Sequence, residues 1–206
     1  MDASDLVDEV RDERETELSR LGSSKSLFAA TGGEMDADAV LAAAADVAAG
    51  ARDAYRGWAD DEDHGDAAAL FADVADAEAD RYETIAGELD DHDPDPPRVY
   101  DHLDGLDGTA ERIGGLLGET LVTDAHLGQV VGFFVGDADP RTASTFRGMG
   151  DDVEDRLDRV LDLADGALDG DEFERALAAA DGVVGAAYDE YVDSLETQGV
   201  NPKPVC

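Results

Sequence analysis

The chain has 206 residues and a formal net charge of −37, from 36 Asp and 16 Glu against 13 Arg and two Lys. That balance excludes unaided binding to nucleic acid or to an acidic membrane surface, which requires a basic footprint. The lone cysteine, Cys206, excludes a disulfide scaffold, and no apolar run reaches the ~18 residues of a membrane span.

Leu6, Val7, Val10 and Leu18 predict a helix over residues 4–20, with Leu21 just beyond and Ser4 as its N-cap. Gly22-Ser23-Ser24-Lys25 and Thr31-Gly32-Gly33 read as breaks. An Ala-rich helix follows over 36–60, with Val40, Leu41, Val47, Tyr55 and Trp58 on its apolar stripe. The acidic turn 60–65 leads to a second long helix over 66–90. Asp93-Pro94-Asp95-Pro96-Pro97 then imposes an extended connector, because proline cannot continue a helix. A short helical turn is expected over 99–106. A third long helix starts at Thr109, breaks around 123–127, and resumes to Gly136. The turn 137–140 leads to a fourth over 141–165, and a fifth covers 171–196. No strand is expected. The fold class is all-α, organised as an N-terminal helical segment (1–34), a four-helix core (35–168), a C-terminal helix packed on it (169–198) and a tail (199–206), one compact domain overall.

Hydrophobic residues make up 43% of the chain and recur at helical spacing, so the charge belongs to the surface of a folded object. At molar salt the screening length falls to about 3 Å and such self-repulsion fades. The Asp-rich, Lys-poor composition resembles that of proteins from salt-accumulating halophiles. Met1-Asp2-Ala3-Ser4-Asp5 is too acidic for a signal or transit peptide, so a cytoplasmic location is expected.

The chain matches itself weakly at an offset of 75 residues (146 − 71). Phe71 falls on Phe146, Val74 on Met149, Ala75 on Gly150, Asp80-Arg81 on Asp155-Arg156, and Ile85 on Val160. Upstream, Val47 falls on Val122 and Trp58 on Phe133. Matched turns and helix lengths favour a duplicated helix hairpin over chance similarity of two amphipathic helices. At ~100° per residue, Glu78 lies on the apolar stripe of Phe71, Ala75, Tyr82, Ile85 and Leu89. A carboxylate there needs a partner, and Arg81, at i+3 on the border of the stripe, is the nearest.

A duplicated hairpin, a long crossover and an acid on the inner stripe resemble the ferritin-like superfamily, and rubrerythrins in particular, over about residues 36–166. The resemblance implies a four-helix bundle of two hairpins. In that family each second helix carries Glu-x-x-His and each first helix a lone Glu, together holding two metal ions that activate dioxygen or peroxide. The corresponding positions are Ala48 and Thr123 for the lone acids, Glu78 and Val153 for the second-helix acids, and Arg81 and Arg156 for the imidazoles. Arginine has no free lone pair and cannot replace a histidine ligand. Glu-x-x-His occurs nowhere, and one cysteine cannot build a rubredoxin-like module. The expectation is therefore a ferritin-like bundle with a degenerate metal site and no cofactor, a Glu78–Arg81 contact with Arg156 nearby filling the vacated space. Such a bundle would act by interaction or regulation with an unidentified protein partner, a homodimer being one option. Leu21-Gly22-Ser23-Ser24-Lys25, Gly132-Phe133-Phe134-Val135-Gly136-Asp137-Ala138-Asp139-Pro140 and Asn201-Pro202-Lys203-Pro204-Val205-Cys206 resemble segments of halophilic archaeal chains labelled rubrerythrin-family or transcription anti-termination proteins. The second label implies a factor working through protein partners.

An alternative reading keeps a rearranged iron or manganese site built from Glu78, Glu119 and His126, hence a metal-dependent oxidoreductase. Asp61, Glu62, Asp63 and His64 read as a solvated acidic turn, and Glu88 with His92 as a helix end favoured by the dipole. Gly114, Gly118, Gly128, Gly132 and Gly136 suggest close helix approach. Cys206 reads as an inert tail thiol. Phosphate-binding glycine loops, an EF-hand loop and a Ser–His–Asp elbow are all missing from the sequence.

Overall fold

The structure is a computed structural model and describes residues 2–202; the expectation for Cys206 lies outside the described residues. Those residues form nine helices and no strand. They are α1 (Ala3–Glu13), α2 (Glu15–Leu21), α3 (Ser24–Ala30), α4 (Ala37–Asp61), α5 (Gly65–Ala86), α6 (Val99–Asp104), α7 (Thr109–Gly136), α8 (Pro140–Ala167) and α9 (Asp171–Thr197). Among the described residues, no helix is long and apolar enough to cross a membrane.

The caps are local and mostly acidic. Asp2, not Ser4, caps α1, in a reciprocal box with Asp5. Asp36 accepts from the Ala39 amide at the start of α4. Asp139 caps α8 just ahead of Pro140, which supplies a preset φ where no amide is needed. The helix expected over 4–20 is interrupted at Arg14, and the segment between the two breaks forms α3, too short for periodicity to reveal. α5 ends at Ala86 rather than at residue 90, with Gly87 as its C-cap. The expected break in α7 does not occur. Thr123 donates its hydroxyl to Glu119, one turn back, instead of competing for backbone groups, and Leu121 and Leu127 on either side are buried.

α4 packs along α5, and α7 packs along both α8 and α9, so α9 is as well integrated as the partners of the hairpins. Contacts of α4 with α7 and of α5 with α8 join the two hairpins, while α1–α3 lie against α7, α8 and α9. Two glycines decide how closely α9 sits. A Cβ on Gly114 would stand 2.0 Å from the Ala176 carbonyl oxygen, and one on Gly118 2.6 Å from that of Ala180. Gly128, Gly132 and Gly136 face open space, so the stripe of close approach ends after Gly118. Gly50 likewise makes room for the ring of Tyr100, 2.2 Å from where a Cβ would be.

The apolar interior divides in two. One cluster contains Tyr55, Trp58, Phe71, Leu116, Leu117 and Val183; the other contains Val40, Ile85, Leu127, Phe134, Phe146 and Val153. Every long helix of the two hairpins crosses from one cluster to the other. α4 crosses between Ala45 and Ala51, α5 between Ala75 and Ile85, α7 between Leu121 and Leu127, and α8 between Val153 and Val160.

Candidate functional site

The junction between the clusters is polar. Glu78, Arg81, Glu119, Thr123 and Arg156 are all buried there, and Ala48 and Val153 are buried as well. Of the positions that sequence reasoning assigned to a former metal site, Glu78, Arg81 and Arg156 touch directly and Thr123 joins them through Glu119, while Ala48 and Val153 are buried without a polar contact to them. α5 and α8 bring Glu78, Arg81 and Arg156 together because all three fall on the buried faces of their helices. Arg81, on the border of its stripe, is 8% exposed and turns its guanidinium to Glu78.

Glu78 is the hub. Its Oε1 accepts from Arg81 Nη1 at 2.6 Å and from Arg156 Nη1 at 2.9 Å. Arg81 Nη2 also reaches the Met149 carbonyl oxygen at 3.4 Å. Arg156 Nη2 stands 3.5 Å from Glu119 Oε2, an ion-pair contact rather than a hydrogen bond. Glu119 accepts three hydroxyl hydrogen bonds: Tyr55 on Oε2 at 2.9 Å, and Thr123 and Tyr100 on Oε1 at 2.5 and 3.2 Å. Two carboxylates and two guanidiniums balance, which is how buried charge is tolerated.

Burial pushes the Glu78 carboxyl up, and the charges of Arg156 and Arg81 pull it back without cancelling the rise. Burial alone would lower the Arg156 guanidinium, but Glu119 and Glu78 hold it above its ordinary value. Tyr55 and Tyr100 are raised well above the ordinary phenol value, first by burial and then by the Glu119 charge, so both remain hydroxyl donors. The two phenols and the Arg156 guanidinium thus keep their protons across the neutral range.

These residues do not fit a di-metal centre. At the two positions that the resemblance would give to imidazoles stand guanidinium groups, which cannot ligate a metal, and Arg156 contacts both Glu78 and Glu119. The alternative triad fares no better: Glu78, Glu119 and His126 do not come together as a ligating group, and no group of three or more His, Cys, Asp or Glu among the described residues could hold a metal ion. His126 is buried, one helical turn beyond Thr123, and its Nε2 has no hydrogen-bond partner.

Other expectations change as well. The acidic turn is not wholly solvated. Glu62 is half-buried, with its side chain covered, and accepts from Thr109 Oγ1 at 2.6 Å and Arg112 Nη1 at 3.1 Å, pinning the α4–α5 turn to the start of α7. His64 caps α5 by accepting from the Ala67 amide. His92 lies beyond the end of α5, where its Nε2 approaches Asp46 at 3.1 Å, so the helix-end reading of Glu88 and His92 does not apply. Tyr100 was missed because the short α6 is delivered to the core by the crossover, and nothing local marks it. Glu119 carried a usable signal: a carboxylate inside the apolar run Gly115–Leu121 demands a partner.

No family model matches the chain, and no match is found among curated proteins or among solved structures.

Proposed function

We propose that the chain is a rubrerythrin-like, ferritin-like four-helix bundle of a halophile in which a charge-balanced ion-pair layer replaces the di-metal centre, and that it works without catalysis, by interaction with a protein partner or by regulation. One observation carries the reading: Arg156 lies 2.9 Å from Glu78 and 3.5 Å from Glu119, so a fixed cation already serves both acids. The twofold repeat supports it. Arg81 and Arg156, related by the offset of 75 residues, both reach Glu78, and the other pairs so related, Glu78 with Val153 and Ala48 with Thr123, are buried. An incoming metal ion would have to displace two guanidinium groups from Glu78 and would gain no imidazole in exchange.

Metal analysis of protein purified in molar KCl tests this. Iron and manganese are expected far below one ion per chain, with no change on Glu78→Ala. Near-stoichiometric iron or manganese that disappears in Glu78→Ala would overturn the proposal and return the chain to redox chemistry.

A further inference from the structure

The acid in this chain is unevenly placed. Residues 125–150, the turn end of the α7–α8 hairpin, hold two Asp and two Arg, so the rest of the chain carries the whole net charge of −37. On α7 no charged residue occurs between Asp124 and Asp137. Burial does not account for that, because Gly128, Gly132, Val135 and Gly136 are exposed. On α8 the exposed positions between Pro140 and Asp151 are Arg141, Ser144, Thr145, Arg147 and Gly148. Of the two acids at the turn, Asp139 is taken up by the α8 cap. Val135 is 55% exposed, and Met35 is the only other large hydrophobic so exposed among the described residues.

The same face of α7 already receives a helix nearer its start. At ~100° per residue, 18 residues make five full turns, so Gly132 stands at the same angle around the helix as Gly114, and Gly136 at the same angle as Gly118. Gly114 and Gly118 have the α9 backbone 2.0 and 2.6 Å from where a Cβ would be, whereas Gly128, Gly132 and Gly136 have no such neighbour within 4 Å. α9 thus covers the first half of this face. The second half keeps a shape that admits a helix backbone and has no helix on it.

Charge decides what covers it. A basic partner finds its counter-charges on the acidic remainder of the surface and none on this face. A second copy is in the opposite position. At molar salt, repulsion between distant charges is screened within about 3 Å, but acids pressed directly against acids still repel. A face without acid is the one that can be laid against itself, and the centres of protein interfaces are depleted of charge in the same way. We infer that the second half of α7, with Val135 and the open glycines at its centre, is a homodimer interface that packs against the same face of a second copy about a twofold axis. The inference supplies a partner for the reading above without resting on the loss of the metal centre, because these residues lie on the outside of the bundle.

Sedimentation equilibrium of the full chain in molar KCl tests it. The open half of α7 is only ~18 Å long, so the interface falls at the small end, and dimer should accumulate above about 10 µM while a more dilute chain is monomeric. Gly132→Asp and Val135→Asp place an acid on the face at exposed positions. Each should raise the dimer dissociation constant at least about tenfold, with helicity kept. Gly57→Asp, equally open but on α4, adds the same charge elsewhere and should leave dimerisation as in the wild type. A chain that stays monomeric up to about 500 µM, a dimer that survives both α7 variants, or equal weakening by Gly57→Asp would each overturn the inference.

Discussion

Replacing Glu78 by leucine removes the one carboxylate that both buried guanidiniums share. In the native core Glu78 is 1% exposed and accepts from Arg81 at 2.6 Å and Arg156 at 2.9 Å. The variant leaves a net positive charge in the layer: Arg81 keeps only the Met149 carbonyl at 3.4 Å, and Arg156 keeps only Glu119 at 3.5 Å. Breaking a buried pair in this way costs about 3–5 kcal/mol, which for a chain of this size is a drop of roughly 6–20 °C in Tm. Two second-site changes then behave differently. Adding Arg81→Met restores neutrality with the Arg156–Glu119 contact intact, and should recover most of the loss. Adding Arg156→Met also restores formal neutrality, but it strands Arg81 apart from Glu119, so recovery should be much smaller. Urea denaturation at fixed molar KCl, followed by circular dichroism, reads all four proteins on one scale. A Glu78→Leu cost below about 1 kcal/mol, or equal recovery by the two double variants, would refute the reasoning, since either result means that Glu78 is not the hub of a desolvated network.

Three further outcomes follow from the same geometry. Gly114→Ala should destabilise by about 1–3 kcal/mol, because its Cβ would meet the Ala176 backbone. Gly132→Ala, facing open space, should stabilise by about 0.5–1 kcal/mol through helix propensity; urea midpoints that rank the two the other way would contradict the α7–α9 packing. His126 has its pKa lowered from 6.5 to about 4, so the stability that depends on its neutral form is complete above pH 6.5 and is lost as pH falls through that window. A scan of stability against pH should therefore be flatter between those limits in His126→Leu than in the wild type. With a net charge of −37, Tm should climb steeply as KCl is raised from millimolar to molar. A flat salt response would argue against the halophilic assignment.

How much of this was legible beforehand depends on whether the governing interaction is local. Turns are local, and the helices expected from residues 36 and 141 start within a residue of α4 and α8, whereas the expected cap Ser4 gives way to Asp2. The apolar stripe of α5 is local too, which is why Glu78 stands out in sequence as an acid needing a partner. Its second cation is 78 residues away in α8, and only the weak repeat hinted that Arg156 would come to the same level. Thr123 illustrates the opposite case. A Thr-Asp pair in mid-helix reads as a break, but the hydroxyl finds Glu119 and the helix continues. Gly114, Gly118, Gly128, Gly132 and Gly136 look alike as a pattern, yet of these five only Gly114 and Gly118 meet another helix.

The sequence by itself therefore determined an all-helical chain, most of its boundaries, the acidic surface and the presence of charge on an inward face, because each of these follows from short-range periodicity, capping and composition. Tertiary structure alone decided that Tyr55 and Tyr100 donate to Glu119, that Arg156 stands between two acids, and that α9 covers Gly114 and Gly118 while Gly132 stays open. Those results depend on the relative rotation and spacing of helices far apart in the chain, which are set by the fit of side chains across their interfaces.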